Sequence, residues 1–272
     1  MKRIQLFEFE DFSWFPSSIR TAMTNLIVVF HKMVGTKKVI QSILENVLKE
    51  NHFTQLVGLG SGSGGIMPVV LAGMNAERDQ KINLVMTDLH PHPKLVRFFN
   101  HDGDKGISYQ AKPLNAANLD EAPKGLKIMV NSFHHMPPGV AKSILKSAEE
   151  NGQPVLIYEM VQNKVPLLLW WLLLPISLSV LIIMSLFMTP FVRPMTWQQI
   201  VFTYLIPIIP LCYAWDGQAS LVRMYTFEDI HELLGSGSRE NYQWKMEVAR
   251  KKNGKELGYY IWGNPQVNTK CE

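Results

Sequence analysis

Between residues 165 and 215 the chain carries one charge, Arg193. An uncharged stretch of that length must be removed from water, either inside the protein or in lipid. Its first part, 165–188, has no charge at all and includes Trp170 and Trp171. About 20 apolar residues suffice to cross the ~30 Å hydrocarbon core of a bilayer. After Thr189-Pro190-Phe191-Val192-Arg193-Pro194-Met195, a second apolar stretch covers 197–215, weakened by Gln198, Gln199, Pro207 and Pro210. Two spans would return the chain to its starting side. Of the 27 Lys and Arg residues only Arg193 would lie in the far loop, which follows the rule that basic residues stay on the cytoplasmic side. The expectation is a transmembrane helical hairpin at 165–215, with the rest of the chain facing the cytoplasm. An interfacial anchor in one leaflet and a buried core hairpin are the alternatives. The N-terminus, Met1-Lys2-Arg3-Ile4-Gln5-Leu6-Phe7-Glu8, has no apolar region of its own and does not read as a signal peptide.

Outside that stretch the sequence alternates. Residues 1–54 read as a helical cap, with Ser17 or Ser18 starting one helix and Thr36 another; Ile40, Ile43, Leu44, Val47 and Leu48 share one face of the second. Short apolar strands are expected at 55–59, 82–87, 107–110, 126–131 and 154–159, with helices at 66–76, 93–100 and 138–150 between them. After the apolar stretch, Thr226 opens a helix, and strands at 242–250 and 257–262 flank Asn253-Gly254, a strong hairpin signal. The pattern predicts an α/β fold: a seven-stranded, mostly parallel sheet with helices on both faces and a C-terminal antiparallel hairpin, and a hydrophobic helical hairpin inserted after the fifth strand. Residues 55–164 would form the Rossmann-like core and 216–272 its completion.

The net charge is +4 and no basic stripe interleaved with aromatics occurs, so nucleic acid is not an expected partner. Cys212 and Cys271 form neither a metal-ligand nor a redox pair by spacing.

Val57-Gly58-Leu59-Gly60-Ser61-Gly62-Ser63-Gly64-Gly65 joins the first strand to a helix. Such a loop lets the backbone approach a ligand and offers the free N–H groups of a helix start. Gly60, Gly62 and Gly65 also fit the dinucleotide fingerprint, and a purely structural turn would look the same. Asp88, at the end of the second strand, can accept hydrogen bonds from ribose hydroxyls, although Asp is also common at such ends for local reasons.

In the order of its elements the chain resembles the class I S-adenosylmethionine-dependent methyltransferases, over residues 40–163 and 220–263. The resemblance implies S-adenosylmethionine as cofactor. It places Gly58, Gly60, Ser61, Gly62 and Gly64 in the donor-binding loop, Asp88 on the ribose, Leu89 against adenine and Asn115 near the adenine amino group. The fourth strand, ending Asn131-Ser132-Phe133-His134-His135, would lie near the sulfonium. Gly58 stands where the family often has an acid. The Asn/Asp-Pro-Pro-aromatic signature of DNA-base and glutamine methylation is missing, which argues against those acceptors.

His134 and His135 are the candidates for catalysis, because an imidazole can take a proton at neutral pH. Either could equally be a packed histidine holding a loop. With His90 and His92 they form adjacent pairs on separate loops, a poor metal-ligand pattern, and no metal is expected. Trp14, Asp216 and Arg223 are candidates for the substrate side; Asp216 either lines an entrance or simply ends the apolar stretch. The functional expectation is methyl transfer to a small lipophilic or lipid acceptor at the membrane. The alternatives are a membrane-bound NAD(P)-dependent oxidoreductase, which would lack the Tyr-x-x-x-Lys pair of the short-chain dehydrogenases, and a non-catalytic membrane protein that keeps the donor-binding fold.

Overall fold

The computed structural model describes residues 1–101, 106–235 and 241–266. The chain separates into two compact units. One contains Thr36–Met160 and the chain from Phe227 onward; the other contains Lys2–Gly35 and Val161–Thr226. The expected block 1–54 is therefore divided, its first helix belonging with the apolar stretch and its second with the sheet. Gly35 marks the division. It ends the first helix in the left-handed conformation (φ 80°), a standard helix stop that glycine adopts without strain.

The first unit is built on a seven-stranded sheet of order β3-β2-β1-β4-β5-β7-β6. Its strands are β1 (Gln55–Gly58), β2 (Asn83–Met86), β3 (Ile107–Tyr109), β4 (Leu126–Val130), β5 (Val155–Glu159), β6 (Tyr242–Arg250) and β7 (Glu256–Pro265). The first five are mutually parallel, while β7 runs antiparallel to both β5 and β6. Every residue of β5 is buried, as expected for an apolar run covered on both faces. The β6–β7 turn is closed by Gly254 N–H donating to the Lys251 carbonyl (2.9 Å), with Gly254 at φ 80°. That is the geometry the Asn-Gly pair allows.

Helices α2 (Thr36–Glu50), α3 (Met67–Asn75), α4 (Pro93–His101), α5 (Pro138–Glu150) and α9 (Phe227–Leu234) complete this unit. In α2, Val39, Ile40, Ile43, Leu44, Val47 and Leu48 are all buried, one apolar face at helical spacing. Proline occupies the first turn of α3 and of α5, where a missing N–H costs nothing.

The second unit contains α1 (Ser17–Val34), α6 (Leu167–Met188), α7 (Trp197–Ile200) and α8 (Ile208–Arg223). Pro16, not Ser17 or Ser18, sits at the N-cap of α1, and no side chain caps that end. α6 is continuous through Pro175 and is long and apolar enough to cross a membrane. The second apolar stretch is not a straight helix. A π-helical turn, Val201–Leu205, continues α7, and this pair is bent by 83° from α8. Pro207, beside the break, has no N–H to carry the helical ladder across. Met188, Ile209 and Tyr213 pack with Phe15, Ile19 and Met23 of the N-terminal segment; Trp170 and Leu174 pack with Val222, Ile4 and Leu6.

A charged network ties the N-terminal segment to α8. The Asp216 carboxylate accepts from the N–H groups of Phe9 (2.8 Å) and Glu10 (3.1 Å). Arg223, fully buried, pairs with Glu8 (3.1 Å) and Asp11 (2.6 Å). The Arg3 guanidinium donates to the Arg223 carbonyl (2.7 Å). Removing one partner of so buried a set would leave an uncompensated charge, at a cost of about 3–5 kcal/mol.

Candidate active site

The candidate residues of the sheet unit gather at the carboxyl ends of its parallel strands, where open α/β sheets bind ligands. The loop after β1 runs through Gly60, Gly62, Gly64 and Gly65, all at positive φ. Gly64 shows why this must be glycine. At φ 96° a side chain would be strained, and its Cβ would press on the Phe99 ring at 3.1 Å. Gly58 precedes the turn, and a Cβ there would meet Ser61 Oγ at 2.5 Å.

Two residues of the next strands hold the loop. Thr87 is buried; its hydroxyl (2.7 Å) and its N–H (2.8 Å) both donate to the Gly58 carbonyl, and its own carbonyl accepts from Ser61 N–H (2.9 Å). The Tyr109 hydroxyl donates to the Gly62 carbonyl (2.9 Å). Burial first, and the nearby Asp88 charge second, push the Tyr109 phenol well above its ordinary range, so it remains a donor.

Asp88 is half-buried and accepts from Gly62 N–H through one oxygen (2.9 Å) and from His90 N–H through the other (2.8 Å). A carboxylate has about four acceptor positions, so these two bonds leave capacity for ribose hydroxyls while fixing the loop. Leu89 is half-exposed beside it. Leu114 N–H donates to the Asp88 carbonyl (2.9 Å), which brings the Asn115 loop to the end of β2. The Asn115 side chain itself accepts from Ala117 N–H (3.0 Å) and shapes that loop.

At the end of β4, Asn131 adopts φ 51°, the one non-glycine residue at positive φ among the described residues. Its Oδ1 accepts from Met160 N–H (2.8 Å), tying the ends of β4 and β5 together. Next to it, Ser132 Oγ is buried with no hydrogen-bond partner among the described residues. It lies 3.8 Å from where a Gly60 Cβ would sit. An unsatisfied buried hydroxyl facing a glycine turn is the kind of group a polar ligand completes. Glycine backbone, Asp88, Leu89 and Ser132 together fit a nucleoside with a polar tail.

The two histidines part company. His134 is buried, and its Nδ1 lies 2.8 Å from Oε2 of Glu159, the last residue of β5. Glu159 Oε1 accepts from the N–H groups of Phe133 (2.9 Å) and His134 (3.1 Å). A carboxylate at Nδ1 favours the tautomer that carries its proton there. The His135 ring packs against that of His134, centroids 4.3 Å apart, and is only half-buried. Sequence reading missed Glu159, Thr87, Tyr109 and Ser132. Only Glu159 left a visible trace, an acid at the end of an otherwise apolar strand.

The substrate-side candidates lie in the other unit. Trp14 is exposed, while Asp216 and Arg223 belong to the charged network with the N-terminal segment. Cys271 lies outside the described residues.

A dinucleotide-binding sheet of the ordinary kind has strand order 3-2-1-4-5-6, all parallel; here a reversed strand stands between the fifth and sixth. The chain has the class I methyltransferase fold. No protein-family model and no curated protein matches it. Solved structures with a similar fold include the methyltransferase domain of a bacterial CtHen1, with a TM-score of 0.46 and 9% identity over 84% of this chain and 98% of that one. The pyocyanin biosynthetic protein PhzM has a TM-score of 0.43 and 12% identity, over 82% of this chain and 53% of that one. Human N-acetylserotonin methyltransferase, solved with S-adenosylmethionine, has a TM-score of 0.41 and 15% identity, over 85% and 55%. The chain spans about half the length of the last two.

Proposed function

We propose that this protein transfers a methyl group from S-adenosylmethionine to a lipophilic acceptor at a membrane, with His134 as general base. The observation that carries the reading is the His134–Glu159 pair, set at the ends of β4 and β5 on the same sheet edge as the glycine loop and Asp88. When bound, the donor supplies an electrophilic methyl on a sulfonium. The glycine loop, Asp88, Leu89 and Ser132 would hold it. His134 would take the acceptor's proton at Nε2 as the acceptor's oxygen or nitrogen gains the methyl group and the donor leaves as the neutral thioether. Glu159 holds the ring in the tautomer that can accept that proton and stabilises the imidazolium formed. Positioning of donor and acceptor in line supplies the larger part of the acceleration. The uncharged residues 165–188 support a membrane setting and a lipophilic acceptor.

Isothermal titration with S-adenosylmethionine, S-adenosylhomocysteine and NADH tests the cofactor, and transfer of labelled methyl into a lipid extract tests the acceptor class. Binding of NADH and not of the sulfonium compounds would refute the reading in favour of an oxidoreductase. Donor binding without transfer to any extract would leave a donor-binding protein with no enzymatic role.

A further inference from the structure

We infer that α6 lies along one leaflet, in the plane of the membrane, rather than crossing it. The inference rests on the membrane part of the proposed function and concerns only the second unit. α6 has 22 residues, about 33 Å of helix at ~1.5 Å per residue. Leu168, Leu172, Ile176, Ile183 and Phe187 are all exposed, and over the first half of the helix Leu167, Leu169, Trp171 and Leu173, with Val180 further on, widen the bare surface beyond that line. The spacing of the first five puts them on one face that runs the full length of the helix. Protein covers a narrower opposite side, where Trp170 and Leu174 meet Val222, Ile4 and Leu6 near the helix start and Met188 meets α1 near its close.

The charged network fixes the depth. A Cβ on Gly217 would stand 3.4 Å from the Leu181 side chain, so Asp216 and Gly217 lie level with Leu181, roughly 21 Å from the start of α6. Asp216 there holds the start of the 3-10 turn Phe9–Asp11 through the N–H groups of Phe9 and Glu10. Asp11, paired with Arg223, is 37% exposed at its side chain, and Trp14 is 68% exposed. Were α6 upright across a ~30 Å core, the buried Glu8–Arg223 pair and the partly exposed Asp11 would sit at hydrocarbon depth, where charge is costly.

The return path fails as well. α8 is uncharged only as far as Trp215, about 12 Å of helix. The nine-residue length before it, Trp197–Leu205, is turned 83° from it and adds little along its axis. Laid flat, the same unit works. The exposed face of α6 sinks among acyl chains, with exposed Trp171 and Trp197 at its two ends as interfacial anchors, and the ionic network stays on the water side.

The test is cysteine accessibility in sealed vesicles of fixed orientation from expressing cells. The full-length chain carries Cys212→Ala and Cys271→Ser, with one new cysteine, either Arg193→Cys in the exposed loop after α6 or Lys32→Cys at the end of α1. Both positions should react with a membrane-impermeant maleimide from the same side. Reaction of Arg193→Cys only from the opposite side, or from neither, overturns the in-plane arrangement while leaving the membrane setting intact. Recovery of the protein wholly in the soluble fraction overturns both. A Lys32→Cys chain that keeps wild-type affinity for S-adenosylhomocysteine shows that the labelled protein is folded.

Discussion

Glu159→Gln isolates the base from everything around it. The substitution keeps the shape of the side chain and an oxygen to accept from Phe133 and His134 N–H, so the turn after β4 should hold. What changes is the atom facing His134 Nδ1. An amide NH₂ in place of Oε2 is a donor, so Nδ1 must become the acceptor and the ring proton moves to Nε2. The nitrogen needed as a base is then already protonated. A misplaced tautomer removes the whole general-base contribution, about 10²–10⁴ in rate, or roughly 3–5 kcal/mol of barrier. Stability should change by no more than about 2 kcal/mol, because a weaker hydrogen bond and a relieved buried charge oppose each other. The measurements are initial methyl-transfer rates from pH 6 to 9.5, titration with S-adenosylhomocysteine, and the double variant with His134→Ala. The rate should fall with donor affinity unchanged. The double variant should be no slower than His134→Ala alone, since the two residues act as one unit. A Glu159→Gln enzyme keeping more than about a tenth of the wild-type rate would refute the base assignment; an already nucleophilic acceptor, needing only proximity, would then be indicated.

Asp88→Ala removes the acceptor for Gly62 N–H as well as the ribose contact, and should weaken S-adenosylhomocysteine binding by about 1–3 kcal/mol in calorimetry, with the fold intact. Tyr109→Phe leaves the Gly62 carbonyl without its donor; affinity should fall by on the order of 1 kcal/mol, again by calorimetry. In the wild type, donor binding should stay flat as pH rises through the ordinary phenol range, because burial and Asp88 hold the hydroxyl protonated. His31 is buried on α1, and burial lowers its pKa from 6.5 to about 4. The unfolded chain takes up a proton in that window that the folded chain does not. Stability is therefore full above pH ~6.5 and declines toward pH 4, by up to about 3 kcal/mol. Thermal unfolding of His31→Gln should show a flatter pH dependence across the same window.

The alternation of strand and helix was legible because each short apolar run is bounded by glycine, proline or a polar turn, and all seven strands fall where the pattern placed them, within a few residues at their ends. The donor loop was legible for the same reason, since glycines crowd a strand-to-helix junction. The second apolar stretch holds a bend that hydropathy alone does not show. Hydropathy counts residues without regard to direction, and the break beside Pro207 turns a span-length run into two short helices. The partition of the first 54 residues was hidden too, because what α1 packs against lies far along the chain. Glu159 was named only as a strand end. Its role depends on register between β4 and β5, which places its carboxylate under Phe133 and His134, and register between parallel strands leaves no mark in either strand alone. Asp216 and Arg223 attracted notice as polar residues beside an apolar run, but their partners, Glu8, Phe9, Glu10 and Asp11, lie about 200 positions away in sequence.

That last pairing has a consequence for biosynthesis. Asp11 and Arg223 stand 212 positions apart. At ~5–20 residues per second a ribosome needs roughly 10–40 s to travel between them. Throughout that interval Phe7, Phe9, Phe12 and Phe15 lack the α8 side chains they later pack against, Trp215 stacked on Phe7 among them. The aromatic segment 7–15 is made well before the α8 residues it packs against. It is a natural client for a chaperone or for the membrane surface itself, and a truncation before Ile209 removes every α8 residue it packs against.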